Sequence, residues 1–111
     1  ANGYNYDDTT EGNKIAKAMV STTGWNSSTG LGAVGNNQSL NNDSGFNAFP
    51  EGYRSYDGSF DNEGYDAIFW SSTEYNSSFA WGRNLSNDSS NLTRFSSSNK
   101  RYGFSVRFVR D

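Results

Sequence analysis

Apolar and aromatic residues come in short clusters separated by long polar stretches, and their spacing changes along the chain. Phe79, Trp81, Arg83 and Leu85 recur at every second position, which predicts a strand over 79–85 with these four side chains on one side. Asn87-Asp88-Ser89-Ser90 predicts a turn, 91–95 a returning strand, and Ser96 to Asn99 another turn. A last strand over 104–109 would turn Phe104, Val106 and Phe108 to one face and Ser105, Arg107 and Val109 to the other. Ala67-Ile68-Phe69-Trp70 has the form of a short buried strand.

The first half has weaker signals. Residues 14–20 are the one stretch of good helix formers; Ile15, Ala18 and Met19 share a face of a helix of about two turns, with Thr9, Thr10 and Glu11 as cap residues. A buried strand is the competing reading. Residues 21–42 form a Gly-, Asn- and Ser-rich loop, ordered if its one large ring, Trp25, enters the core. Phe46, Phe49 and Tyr53 around Pro50 and Gly52 predict a turn anchored by rings, since proline restrains itself and the residue before it. The expected fold is α+β, with residues 1–111 as one domain, a small antiparallel sheet of three to five short strands, long loops and little helix.

Composition sharpens this. Apolar residues are 32% of the chain, and Leu, Ile, Val and Phe together number 18. Aromatic residues supply 16%, and each buried ring removes about 150–250 Å² from water, so an aromatic core is expected. That core is thin for the length, which suggests part of a larger unit. There is no Cys for disulfides or thiol ligands, no apolar run near the ~20 residues of a membrane span, and no signal-peptide pattern at the start. A chain beginning at Ala1 suits a processed or truncated polypeptide.

Charge is uneven. The net value is -3, yet most basic residues, among them Arg83, Arg94, Lys100, Arg101, Arg107 and Arg110, follow residue 81. This falls short of the dense basic stripe of a nucleic-acid binder. Arg107 and Arg110 are expected to pair with carboxylates of the first part.

The 75–99 stretch mixes Tyr, Phe and Arg with Asn and Ser, the blend that binding loops use for contact area and adaptable hydrogen bonding. Tyr75, Phe79, Arg83 and Arg94 are candidate anchors, and Asn76, Ser78, Asn84, Asn87, Asn91 and Asn99 candidate hydrogen-bonding groups. The competing reading is that Asn and Ser simply build turns there. Trp25, Phe46, Pro50, Trp70, Trp81, Phe104, Val106 and Phe108 form the expected structural frame. Asp57, Asp61, Asn62, Glu63 and Asp66 cluster without the EF-hand spacing, so a structural calcium has little support and no cofactor is expected. His is absent along with Cys, which removes the commonest general base and a thiol nucleophile and argues against an enzyme. Asp61 and Glu63 form a carboxylate pair of the kind glycoside hydrolysis uses, but both sit in one short polar loop, where exposed acids are usually just solvated. The seven Asn-x-Ser/Thr triplets are a by-product of composition.

Gly45-Phe46-Asn47-Ala48-Phe49-Pro50-Glu51-Gly52-Tyr53-Arg54, Phe69-Trp70-Ser71-Ser72-Thr73-Glu74 and Gly103-Phe104-Ser105-Val106-Arg107-Phe108-Val109-Arg110-Asp111 closely resemble landmark segments of one bacterial family. It is the Fibrobacter succinogenes major paralogous domain. Gly12-Asn13-Lys14-Ile15-Ala16 and Thr23-Gly24-Trp25-Asn26 agree with it too. The resemblance implies a C-type-lectin-like fold and an extracellular place, on the surface of Bacteroidota or on their phages. It also implies a missing N-terminal part carrying a "WRLPT"-like motif, and an apolar Phe108 where the family often has Cys. Sugar-binding lectins of that fold carry Glu-Pro-Asn or Gln-Pro-Asp motifs, which this chain lacks. Some relatives are diversified by retroelements that favour codons around Asn, which the asparagines of 75–99 would suit, and a non-diversified paralogue fits nearly as well. The implied function is adhesion to a protein or glycan on another cell or particle; the alternative is a filament or shell subunit binding copies of itself. Neither nucleic-acid binding nor membrane insertion is expected.

Overall fold

The computed structural model describes residues 3–110. Its centre is a three-stranded antiparallel meander of β3 (Asp66–Glu74), β4 (Phe79–Ser86) and β5 (Thr93–Asn99), preceded by a short hairpin of β1 (Tyr53–Arg54) and β2 (Phe60–Asp61). Five strands fall within the expected number, and the small antiparallel sheets with very little helix agree with the coarse expectation. No helix among the described residues is long and apolar enough to cross a membrane.

Register explains how the sheet is built. Phe69 faces Arg83, and Arg83 faces Arg94; two residues along, Ala67 faces Leu85. Two irregularities interrupt this order, one in the β3–β4 pairing between Trp70 and Glu74, the other in the β4–β5 pairing between Ala80 and Gly82. Bulges twist strands locally and change which face a side chain takes. Residues 96–99 therefore continue β5, correcting the turn expected there.

The enclosed core is small: Ala16, Val20, Trp25, Val34, Ala48, Ala67 and Leu85, with Met19, Phe46, Phe69 and Leu92 packed against it. Burying Leu85 contributes roughly 1.5–3 kcal/mol. Trp25 is the single buried aromatic residue among the described residues. The expected aromatic core is thus corrected to an aliphatic one with one indole, whose N–H donates to Ser21 Oγ at 3.1 Å. Gln38 holds the Trp25 main chain at both ends: its carbonyl oxygen accepts from Trp25 N at 3.1 Å, and its amide donates to Trp25 O at 2.8 Å. The loop around Trp25 is ordered by these bonds, as buried polar groups require.

The helix shrinks to one turn, α1 (Ala16–Met19). No side-chain cap bond supports it, Ile15 takes the cap position, and Val20 leaves to bridge Ala48. Thr9, Thr10 and Glu11 instead belong to a loop organised by buried Asn5, which donates to Glu11 O at 2.9 Å and accepts from Lys14 N at 3.0 Å.

The expected last strand is also corrected. Gly103 bridges Arg54 and Ser105 bridges Phe69, but among the described residues the main chain of 106–110 bonds to no other backbone group. Val106 and Phe108, expected in the frame, are 60% and 93% exposed. The chain leaves the β3 edge after Ser105, so those side chains stay largely exposed, and Phe108 only borders a hollow shared with Ile15, Met19 and Phe46. Arg107 goes to Phe46 rather than to a carboxylate, donating to its carbonyl oxygen at 2.5 Å with the guanidinium 4.7 Å from the ring centroid.

Candidate functional site

Partners across an antiparallel ladder point to the same side, and neighbours along a strand to opposite sides. The meander accordingly has two faces. On one, Ala67 and Leu85 sink beneath the Trp25 loop. Further along this face the row Phe69–Arg83–Arg94 emerges from under the loops, with Arg83 half-buried and Arg94 exposed.

Arg94 lies over Trp81, Cζ to ring centroid 3.8 Å, and the edge of Tyr75 meets the same indole at 5.5 Å. Tyr75 is 55% exposed. Ser71 Oγ donates to Trp81 O at 2.9 Å, tying the indole's main chain back to β3. The cation–π contact stabilises by about 0.5–1 kcal/mol where it is exposed, and it holds the guanidinium over the ring. Arg83 spends one N–H on the neighbouring Gly82 O at 3.2 Å. Among the described residues the ion pairs are Lys14 with Asp7 and Lys100 with Glu74, so neither arginine meets a carboxylate. Two like charges directly opposite on a ladder are destabilising. The fold carries that cost on an open surface.

The reverse face carries the other rings. Trp70 and Phe104 pack at 4.3 Å, Phe95 and Phe104 meet edge to face at 5.9 Å, and Tyr102 stacks on Phe104 at 6.0 Å. Asn84 falls here, beside Tyr53, Phe95 and Tyr102 in a hollow of about 300 Å³. Its amide donates to Ser86 Oγ at 3.1 Å, while its carbonyl oxygen is buried without a partner. Burial raises the Tyr53 phenol above its usual range. Phe79 and Asn99 line an adjoining hollow with Tyr56 and Tyr102. Phe79 pairs with Asn99, and the alternation through Phe79, Trp81, Arg83 and Leu85 runs unbroken along β4, because both register shifts place their extra residues on β3 and β5.

The remaining candidates are dispersed. Asn76 Oδ1 accepts from the main-chain N–H groups of Ser78 and Phe79, both at 2.9 Å, closing the β3–β4 turn. Asn91 is bonded to Ser89, and Asn99 Oδ1 accepts from Arg101 N at 3.0 Å. Asn87 sits at the far end of the meander, its amide 3.4 Å from Asn26 O. Tyr75, Arg83 and Arg94 are brought together; the asparagines and Ser78 are not. Trp81, assigned to the frame, joins the anchors, and the alternation 81, 83 had already placed it beside Arg83. Trp25 and Pro50 are buried as frame residues should be, while Phe46, Trp70 and Phe104 are half-buried.

The acidic loop does not converge. Asp57 accepts from Ser59 N at 2.9 Å and from Ser59 Oγ at 2.7 Å, bonds that lower its carboxyl below the usual range, the backbone bond most. Asp66 accepts from Asn62 at 2.6 Å and from Ser86 at 2.5 Å. No group of three or more His, Cys, Asp or Glu side chains that could hold a metal occurs among the described residues.

The model of the Fibrobacter succinogenes major domain family matches residues 2–110. Neither the curated proteins nor the solved structures contain a match to the chain.

Proposed function

The chain belongs to the Fibrobacter succinogenes major domain family, and from that premise we propose that it is a non-enzymatic recognition module working outside the cell, on a bacterial surface or a phage particle. One observation carries this reading: Tyr75, Trp81, Arg83 and Arg94, from the end of β3, from β4 and from β5, meet on one open face with their cations uncompensated. Arg, Trp and Tyr are the residues that most often dominate binding energy. Here their positions are set by strand pairing, so little ordering cost remains for association. The small antiparallel sheets and long bonded loops also suit a C-type-lectin-like arrangement. The lack of His and Cys supports a binding role over a catalytic one.

Labelled protein applied to panels of bacterial cells and immobilised glycans tests this. Saturable binding is expected, and Tyr75→Ala, Arg83→Ala and Arg94→Ala combined should weaken it at least about tenfold, the loss that 1.4 kcal/mol produces. Unchanged binding by a variant that still melts cooperatively would reject the assignment.

A second reading draws on the tail. Val106, Phe108 and Val109 are exposed beside a main chain that has no backbone partners among the described residues, as a contact between subunits would leave them before assembly. Under that reading the protein is a filament or shell subunit, and self-assembly in size-exclusion chromatography and electron microscopy separates the two.

A further inference from the structure

Resting on the recognition reading, we propose that the open face binds a carboxylate-bearing sugar, a uronic or sialic acid unit of an acidic glycan. The argument begins with geometry. Arg83 and Arg94 are cross-strand partners, so their guanidinium groups leave the sheet on the same side. Neither has a carboxylate partner among the described residues, and Glu74, the acid next to Tyr75 in the chain, is engaged by Lys100. A planar guanidinium matches a carboxylate through two parallel N–H···O bonds, and such charge-assisted bonds are stronger than neutral ones. An anion between the two arginines would convert their mutual repulsion into two attractions.

The rings choose the kind of anion. Trp81, covered on one face by Arg94 and touched edge-on by Tyr75, places a rigid apolar surface beside the charges. A pyranose ring offers C–H groups for such a surface and hydroxyls for the polar rim, whereas a bare inorganic anion would leave the rings unused. The same combination recurs on this side of the molecule, where Arg107 lies over Phe46 and Phe46 meets Phe69 edge to face at 5.7 Å. Phe69 is the cross-strand partner of Arg83, so the two combinations are continuous. A chain of sugars with recurring carboxylates fits that succession. An acidic overall charge of -3 disfavours a nucleic acid, whose affinity depends on neutralising many phosphates.

The experiment is calorimetric titration of the full chain with an oligogalacturonide and with sialyllactose, beside the methyl ester of the first and the neutral lactose core of the second. Binding of either acid, at least about tenfold tighter than its uncharged counterpart and weakened by salt, supports the proposal. Arg83→Gln and Arg94→Gln should each weaken it at least about tenfold. Arg94→Lys should fail to restore it, since an ammonium lacks the fork and the flat stacking surface. Equal affinity for acid and uncharged counterpart would overturn the proposal, as would tighter binding of oligodeoxythymidylate or polyglutamate. If neither acid binds while adherence to cells still depends on Arg83 and Arg94, the ligand class falls and the recognition reading stands. If adherence is absent too, both fall.

Discussion

The ring of Phe95 lies across Gly82, its cross-strand partner: a Cβ at residue 82 would come within 2.4 Å of Phe95 Cζ. Glycine leaves the space in which the aromatic ring covers the strand, an arrangement that holds β5 against β4. Arg94 is the neighbour of Phe95, so this packing also sets where the guanidinium meets Trp81.

Gly82→Ala should therefore cost about 1–3 kcal/mol, the usual penalty for overfilling a packed site. Chemical denaturation would read the loss. The same variant should bind more weakly than wild type, because a displaced β5 carries Arg94 with it. A fully stable Gly82→Ala protein would show that Phe95 has another place to go.

Lys17 is buried, and its ammonium donates to the carbonyl oxygens of Ala33 at 3.3 Å, Asn37 at 3.4 Å and Asn36. It joins α1 to the 33–37 loop. Lys17→Met keeps the length and strands these acceptors, so a loss of about 1–3 kcal/mol is expected. Burial pushes the ammonium below 10.5. Between that lowered value and 10.5 the unfolded chain binds more protons than the folded one, and stability from this group rises with pH. Lys14 and Tyr53, both raised, act in the opposite sense in alkali. The difference between wild type and Lys17→Met isolates Lys17, and the deficit of the variant should grow from neutral pH toward 10.5. A difference independent of pH would refute the assignment.

Asp7 pairs with Lys14 at 2.6 Å and accepts from Thr9 Oγ1 at 2.6 Å, which together lower its carboxyl from 3.8 to about 2, the Lys14 bond most. A lowered folded value means that its contribution is complete above 3.8 and disappears as pH falls through about 2. NMR titration of the carboxyl carbon should find the low value in wild type. In Lys14→Ala it should return toward 3.8, with the Thr9 bonds holding it somewhat below.

Phe108 contacts so little that Phe108→Asp should change stability by less than about 0.5 kcal/mol, as surface substitutions do. Under the subunit reading the same change should abolish assembly. Light scattering beside thermal melting distinguishes a silent surface ring from a subunit contact.

Much of the candidate face was legible in the chain. Alternation at 79–85 identified β4, the run at 67–70 found part of β3, and Tyr75, Arg83 and Arg94 were named as anchors that do converge. Asn84 was grouped with Arg83 although adjacent strand positions point apart, and its hollow on the reverse face had no signal in spacing. Trp81 was named as a frame residue, and the structure leaves it half-buried beside Arg94 and Tyr75; spacing could not decide this, because an aromatic residue in a strand fits a core and a surface platform equally well.

Local chemistry was sufficient for family, strand alternation, turn-forming asparagines and uneven charge, since each depends on residues near one another in the chain. Bulge placement, the aliphatic centre, the exposed tail and the meeting of Arg94 with Trp81 depended on tertiary structure. A single displaced rung reverses every later side chain relative to its neighbour strand, and that displacement is settled by pairing between distant segments.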